Sequence, residues 1–324
     1  MAVEIKNEFA WSWSRHEMFY QCARKIYWQY YGSWGGWNAD AAADAVLSYR
    51  LKQIKSVPMI VGSVMHDVVR ERLRMRTDAG GPVPESQLRD EVERRVLKIF
   101  RESHDRDWER RRDPKRFANL FEDYYGAGLT DADRDAALAS ARSYVAGFAS
   151  SVYARRAFSI PKQRLRIIDP SDFDQMKIAM DDVLVYAAPD LVVEDESGLL
   201  HVVDWKTGAP RKANVAQLSV YGLFVSEKLG VPLERVAAHI VYLRDSTYER
   251  YENLREGVAE ARRRIATYTT DVRSRLTDVE HNVAGDIAAF PMTDDRSLCR
   301  RCKFREICGR TTPAAIAPDD TDGD

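Results

Sequence analysis

The chain has 324 residues, 45% hydrophobic and 31% charged, enough apolar material for one large domain or two small ones. No stretch approaches the roughly 18 apolar residues of a membrane span. Met1-Ala2-Val3-Glu4-Ile5-Lys6 lacks a signal-peptide pattern, so a cytoplasmic location with no membrane partner is expected. The net charge of -1 includes Asp319, Asp320, Asp322 and Asp324, and without these four it becomes +3. Basic runs lie at 110–112, 162–166, 262–264 and 296–310. Near-neutrality argues against indiscriminate nucleic-acid binding but leaves room for a local basic groove.

Residues 11–37 hold ten aromatics, from Trp11 to Trp37. Tyr20, Tyr27 and Tyr31 fit helical spacing and are expected in the core, with base stacking the alternative for exposed rings. Gly32, Gly35 and Gly36 end this helix. A second helix is expected from about Val57 to Leu73, where Ile60, Val64 and Val68 share a face. Residues 75–156 read as all-helical around the loop at 80–84, with stripes at Leu88, Val92, Val96 and at Leu138, Ala141, Val145.

After Pro161 the period changes. Apolar runs at Val183–Tyr186, at 191–193 and at Leu199–Lys206, a helix over Ala213–Lys228 and a strand over Arg235–Leu243 give the order β-β-β-α-β. The fold class expected is α/β, a mixed central sheet flanked by helices. Leu254, Val258, Ile265, Val272 and Leu276 suggest a last long helix, before a disordered tail at 312–324. The expected division is 1–56, an aromatic and cysteine segment; 57–156, a helical region; 157–250, the core; and 251–311, a helix and cysteine segment.

Chemistry concentrates in the sheet. Residues i and i+2 of a strand share a face, so Asp204 and Lys206 project together with Trp205 opposite, and a hairpin can bring Asp190 beside Asp204. Two close carboxylates repel unless a cation lies between them, and oxygen ligands suit Mg²⁺ or Mn²⁺. A neighbouring lysine completes the equipment for metal-assisted phosphodiester hydrolysis. On D-x-K alone a solvated hairpin ion pair is the commoner explanation. Gln217 and Tyr221, four apart on the next helix, and His66 as a third ligand strengthen the metal reading.

Only four cysteines occur: Cys22 alone, and Cys299, Cys302 and Cys308 as C-x2-C-x5-C. In a large cytosolic chain a four-thiolate metal site is a better reading than disulfides.

The motifs G-x3-H (Gly62 to His66), P-D (Pro189-Asp190), D-x-K (Asp204 to Lys206) and Q-x3-Y (Gln217 to Tyr221), in that order, resemble the PD-(D/E)XK nuclease superfamily and within it the RecB-like exonucleases. Ser14-Arg15, Cys22-Ala23-Arg24-Lys25 and the C-terminal cysteines with Phe304 resemble its iron-staple subgroup, which includes the AddB nuclease domain and the CRISPR-adaptation exonucleases. The resemblance implies a restriction-endonuclease-like core with a helical insertion. It implies His66, Asp190, Asp204 and the Trp205 carbonyl as ligands of Mg²⁺ or Mn²⁺, Lys206 positioning the attacking water, and Gln217 and Tyr221 holding the phosphate or bracing Lys206. It favours a [4Fe–4S] cluster on the four cysteines, with zinc the alternative, tying the chain ends together. The function implied is a DNA exonuclease acting on single-stranded ends in repair, recombination, phage or defence. The alternative is a non-catalytic DNA-end-binding subunit docking a partner through residues 75–156; RNA is a weaker substrate option.

Overall fold

The structure is a computed structural model that describes residues 6–77, 81–106, 114–170, 172 and 174–310. The basic run at 110–112 and the acidic tail lie outside these residues. In chain order the elements are β1 (Ala10–Ser12), α1 (Trp13–Gln21), α2 (Ala23–Ile26), a π-helical turn (Tyr27–Gly32), α3 (Ala43–Leu51), α4 (Val57–Met75), α5 (Glu85–His104), α6 (Phe121–Tyr125), α7 (Asp131–Ser150) and α8 (Val152–Ser159). There follow β2 (Leu165–Ile168), β3 (Lys177–Met180), β4 (Val183–Tyr186), β5 (Leu191–Glu194), β6 (Leu200–Lys206), α9 (Lys212–Leu229), β7 (Val236–Tyr242), β8 (Thr247–Tyr251), α10 (Arg255–Arg273), β9 (Leu276–Asp278), β10 (Val283–Ala284) and α11 (Arg296–Arg300).

The central sheet runs β2-β5-β6-β7-β8, with β6 and β7 parallel through the α9 crossover and the other pairs antiparallel. This is the mixed sheet expected. The turn between β5 and β6 is set by Asp195, whose carboxylate accepts the Ser197 and Leu199 amides, and by Gly198 at φ 81°. Gly230, left-handed at φ 64°, stops α9 where its sequence predicts.

Several expectations need correction. Val183–Tyr186 pairs not with β5 but with β1 and β3 in a separate three-stranded sheet. The short strands β1, β2, β3 and β8 are additional to the order read from the sequence. The last long helix, α10, ends at Arg273, and Leu276 opens β9. Tyr20 is 49% exposed rather than in the core, because its hydroxyl reaches outward to Asp271.

Both faces of the sheet are covered, so its central strands are apolar almost throughout. One face packs on α9, α10, α1 and the small sheet, through Val202, Leu218, Phe224, Ile240 and Ile265. The other packs on α4, α5, α7 and α8, through Val64, Val68, Val92, Val145, Phe148, Val203 and Trp205. The helices of the 57–156 region thus share one core with the sheet. A satellite core of Trp28, Leu51, Ile54, Phe121 and Phe304 joins the two ends of the chain.

Candidate active site

Helix α4 brings His66 to the sheet. Its first turn is capped from outside by Glu122, which accepts the Val57 amide at 3.0 Å. Four residues before His66, Gly62 faces Thr207, just beyond β6. A Cβ on Gly62 would lie 2.8 Å from Thr207 Oγ1, so glycine lets the helix meet the end of the strand.

The register Leu191↔Val203 sets Asp190 across from Asp204. Asp190 Oδ2 accepts the Trp205 amide at 2.7 Å, and its Oδ1 lies 2.9 Å from His66 Nδ1. Lys206 Nζ sits 2.9 Å from Asp204 Oδ2 and donates to Gln217 Oε1 at 2.7 Å; Gln217 Nε2 donates to Tyr221 Oη at 3.0 Å. Trp205 points to the other face, against Phe148. His66, Asp190, Asp204, Lys206, Gln217 and Tyr221 therefore form one connected group.

Its electrostatics follow from burial and crowding. Burial raises the Asp204 carboxyl to about 6, with Lys206 opposing and Asp190 reinforcing. Burial also opposes charge on Asp190, but the His66 contact outweighs it and holds that carboxyl low. His66 loses affinity for its proton through burial and regains more from Asp190, ending at about 9. Burial, then the fields of Asp204 and Asp190, push Tyr221 well above the ordinary phenol value, so it stays protonated.

The donor set suits a hard divalent cation. Asp204 Oδ2 is buried, and the partner it meets there is the Lys206 ammonium at 2.9 Å, a cation beside two crowded carboxylates. Among the described residues, no group of three or more His, Cys, Asp or Glu side chains already stands as a metal shell. His66 and Lys206 instead address the two carboxylates directly.

The sequence profile of the PD-(D/E)XK nuclease superfamily matches residues 10–309. The chain belongs to this superfamily. A search of curated proteins finds no match. PD-(D/E)XK nucleases hydrolyse phosphodiester bonds and typically use Mg²⁺ or Mn²⁺. No helix among the described residues is long and apolar enough to cross a membrane.

Sequence reasoning missed a second layer behind this PD-(D/E)XK site. His66, Arg70 and Arg74 lie at i, i+4 and i+8 on α4. Arg70 donates to Asp169 Oδ2 at 3.0 Å, and Arg74 donates to the Asp169 carbonyl at 2.6 Å. The Asp169 amide donates to the Asp190 carbonyl at 2.9 Å, so α4 grips the chain beside Asp190 with three side chains. The spacing of the two arginines after His66 was the available signal.

The four cysteines, all free, line one cavity with Lys25, Met292, Phe304, Arg305 and Arg310. The chain ends are joined around it: the Arg24 amide and Nε donate to the Pro291 and Phe290 carbonyls, and Lys303 Nζ donates to the Lys52 carbonyl. Burial raises the Cys302 and Cys308 thiols, the latter to about 11, and drops Lys303 to about 7. Lys25, Arg305 and Arg310 bring positive side chains into the lining beside the four thiols.

Proposed function

We propose that the protein is a Mg²⁺- or Mn²⁺-dependent DNA exonuclease acting on single-stranded ends. The observation that carries this reading is the buried Asp190–Asp204 pair with Lys206 beside it, two carboxylates crowded where a cation would relieve their repulsion. Asp190, Asp204 and the Trp205 carbonyl would hold the cation, with His66 a further ligand once it gives up the proton that Asp190 favours on it; the cation would supply Lewis-acid charge to the phosphate and the attacking water. Lys206, fixed by Asp204 and Gln217, orients that water and offsets charge building on the phosphate. Tyr221 accepts from Gln217 and keeps its own proton to donate to a phosphate oxygen. The four cysteines, in this reading, hold a [4Fe–4S] cluster, zinc being the other metal that four thiolates accept.

The helices of the 57–156 region cover the sheet with their inner faces, which favours an integral part of the enzyme over a docking arm. The test is digestion of an end-labelled single-stranded oligodeoxynucleotide with Mg²⁺ or Mn²⁺, by wild type and Lys206→Ala. Stepwise shortening by wild type alone is expected. Equal cleavage by both would remove the assignment, and an internal-cleavage ladder from a circular strand would replace exonuclease with endonuclease.

A further inference from the structure

The segment Ser33-Trp34-Gly35-Gly36-Trp37 follows the π-helical turn. Gly35 has φ +75°, and Gly36 lies so close to the Ala45 carbonyl of α3 that any Cβ would collide with it. The two glycines press the turn onto α3 and leave Trp34 and Trp37 outside it, 37% and 39% exposed. The indoles meet edge to face, 5.1 Å apart at 80°, and Trp37 rests against Tyr49 at 5.7 Å. Trp11, Trp13, Trp28 and Trp205, by contrast, are all buried.

Cations adjoin these rings. Lys52 Nζ lies 5.3 Å and Lys115 Nζ 5.7 Å from the Tyr49 ring centroid. Lys52 donates to Ser33 Oγ at 3.0 Å and Lys303 donates to the Lys52 carbonyl at 2.8 Å, both neutral acceptors. Burial, and then Lys115, lower Lys52 to about 8. Lysine side chains thus adjoin the tryptophan pair through the Tyr49 ring that Trp37 rests on. A row of like charges is unfavourable alone and attracts a polyanion.

We propose that Trp34 and Trp37 are a stacking platform for bases of single-stranded DNA whose phosphates meet Lys52 beside it. Alternating aromatic faces and cations are what sequence-tolerant single-strand binding requires. The proposal rests on the nuclease reading for its substrate, but its test is binding.

The experiment measures fluorescence anisotropy of a labelled oligothymidylate and of an abasic strand of equal length, without divalent cations. The proteins are wild type, Trp34→Ala/Trp37→Ala and Trp34→Phe/Trp37→Phe. The alanine pair is expected to weaken oligothymidylate binding roughly tenfold or more, and the phenylalanine pair to restore most of it. The abasic strand should bind wild type correspondingly weakly. Undiminished affinity in the alanine pair, or equal affinity of wild type for both strands, overturns the platform. The strand comparison on wild type decides the matter even where the alanine pair misfolds. Base-dependent binding without cleavage in Mg²⁺ or Mn²⁺ would leave the platform standing and remove the nuclease reading; cleavage with base-independent binding would do the reverse.

Discussion

Asp190, Asp204 and Lys206 are held on adjacent strands of one sheet, whereas Cys22 meets Cys299, Cys302 and Cys308 from almost the whole chain away, over a satellite core of five buried residues. In the first place the frame does not depend on the reactive groups. The register of β5 on β6 is fixed by Leu191, Val193 and Val203 facing α4, α5 and α7 and by Val192 and Val202 facing α9 and α10, and a slip of one residue would turn every one of them over. In the second the frame is thin, and a metal bound by the four thiolates, as proposed, would contribute its binding energy to folding. Damage to the carboxylates should therefore appear in chemistry, and damage to the cysteines in stability.

The largest effect should follow from Asp204→Ala or Lys206→Ala. Cleavage is expected to fall on the order of 10²–10³-fold, as when one group that stabilises transition-state charge is removed. Unfolding should change little, since Asp204→Ala also removes a like-charge repulsion. Near-normal turnover in purified Asp204→Ala would contradict the site, and gross unfolding would contradict the independence of its frame.

Cys22→Ala is the converse. Anaerobically purified protein is expected to carry bound metal on the cysteines, with a broad absorbance near roughly 400 nm if it is a cubane cluster. Cys22→Ala and Cys302→Ala should lose it equally, and proteolysis should then open both chain ends together. Metal analysis separates the cases: zinc without iron removes the cluster but keeps the staple, and unchanged metal content and protease resistance in Cys22→Ala removes both.

The same contrast explains what was legible in the sequence. The pairing of Asp190 with Asp204 follows from a period of two, a hairpin turn and buried apolar runs, all local signals. The convergence of the cysteines was visible only as composition, because no local pattern states that Phe304 will pack on Trp28. Strands β2 and β8 were missed because they are half-exposed edge strands with charged residues such as Arg166 and Glu249, which carry no continuous apolar run. Strand β1 has three residues inside an aromatic stretch that reads as helix. Asp169 is invisible without the fold, since its role is defined by Arg70 and Arg74 reaching it from α4.

A third experiment sharpens the comparison by pH. Burial, and then Arg264, lower His16 to about 4; burial, and then His201, lower His239 to about 3. An unfolded histidine titrates near 6.5, so between these values the unfolded chain binds more protons and stability falls as pH falls. Each such group contributes at most about 1.4 kcal/mol per pH unit. His16 Nδ1 is buried without a hydrogen-bond partner, so His16→Phe should flatten the decline in urea midpoint between pH 7 and pH 5. An unchanged slope would mean that His16 is hydrated in solution.

The smallest effect tests how closely the helix and the sheet are fitted. Gly62→Ala gains helix propensity of about 1 kcal/mol. Against this, the new Cβ meets Thr207 Oγ1 at 2.8 Å, and overpacking costs about 1–3 kcal/mol. Stability should therefore be unchanged or fall by up to about 2 kcal/mol. Activity should fall further than stability suggests, because the helix carries His66 one turn later and Thr207 adjoins Lys206. Relief of the contact provides the control. In a Thr207→Ala background the collision is gone, and Gly62→Ala should then cost no further cleavage, a coupling between the two positions that a double-mutant cycle reads directly. Equal losses in both backgrounds would mean that Gly62 serves the site by some route other than its approach to Thr207.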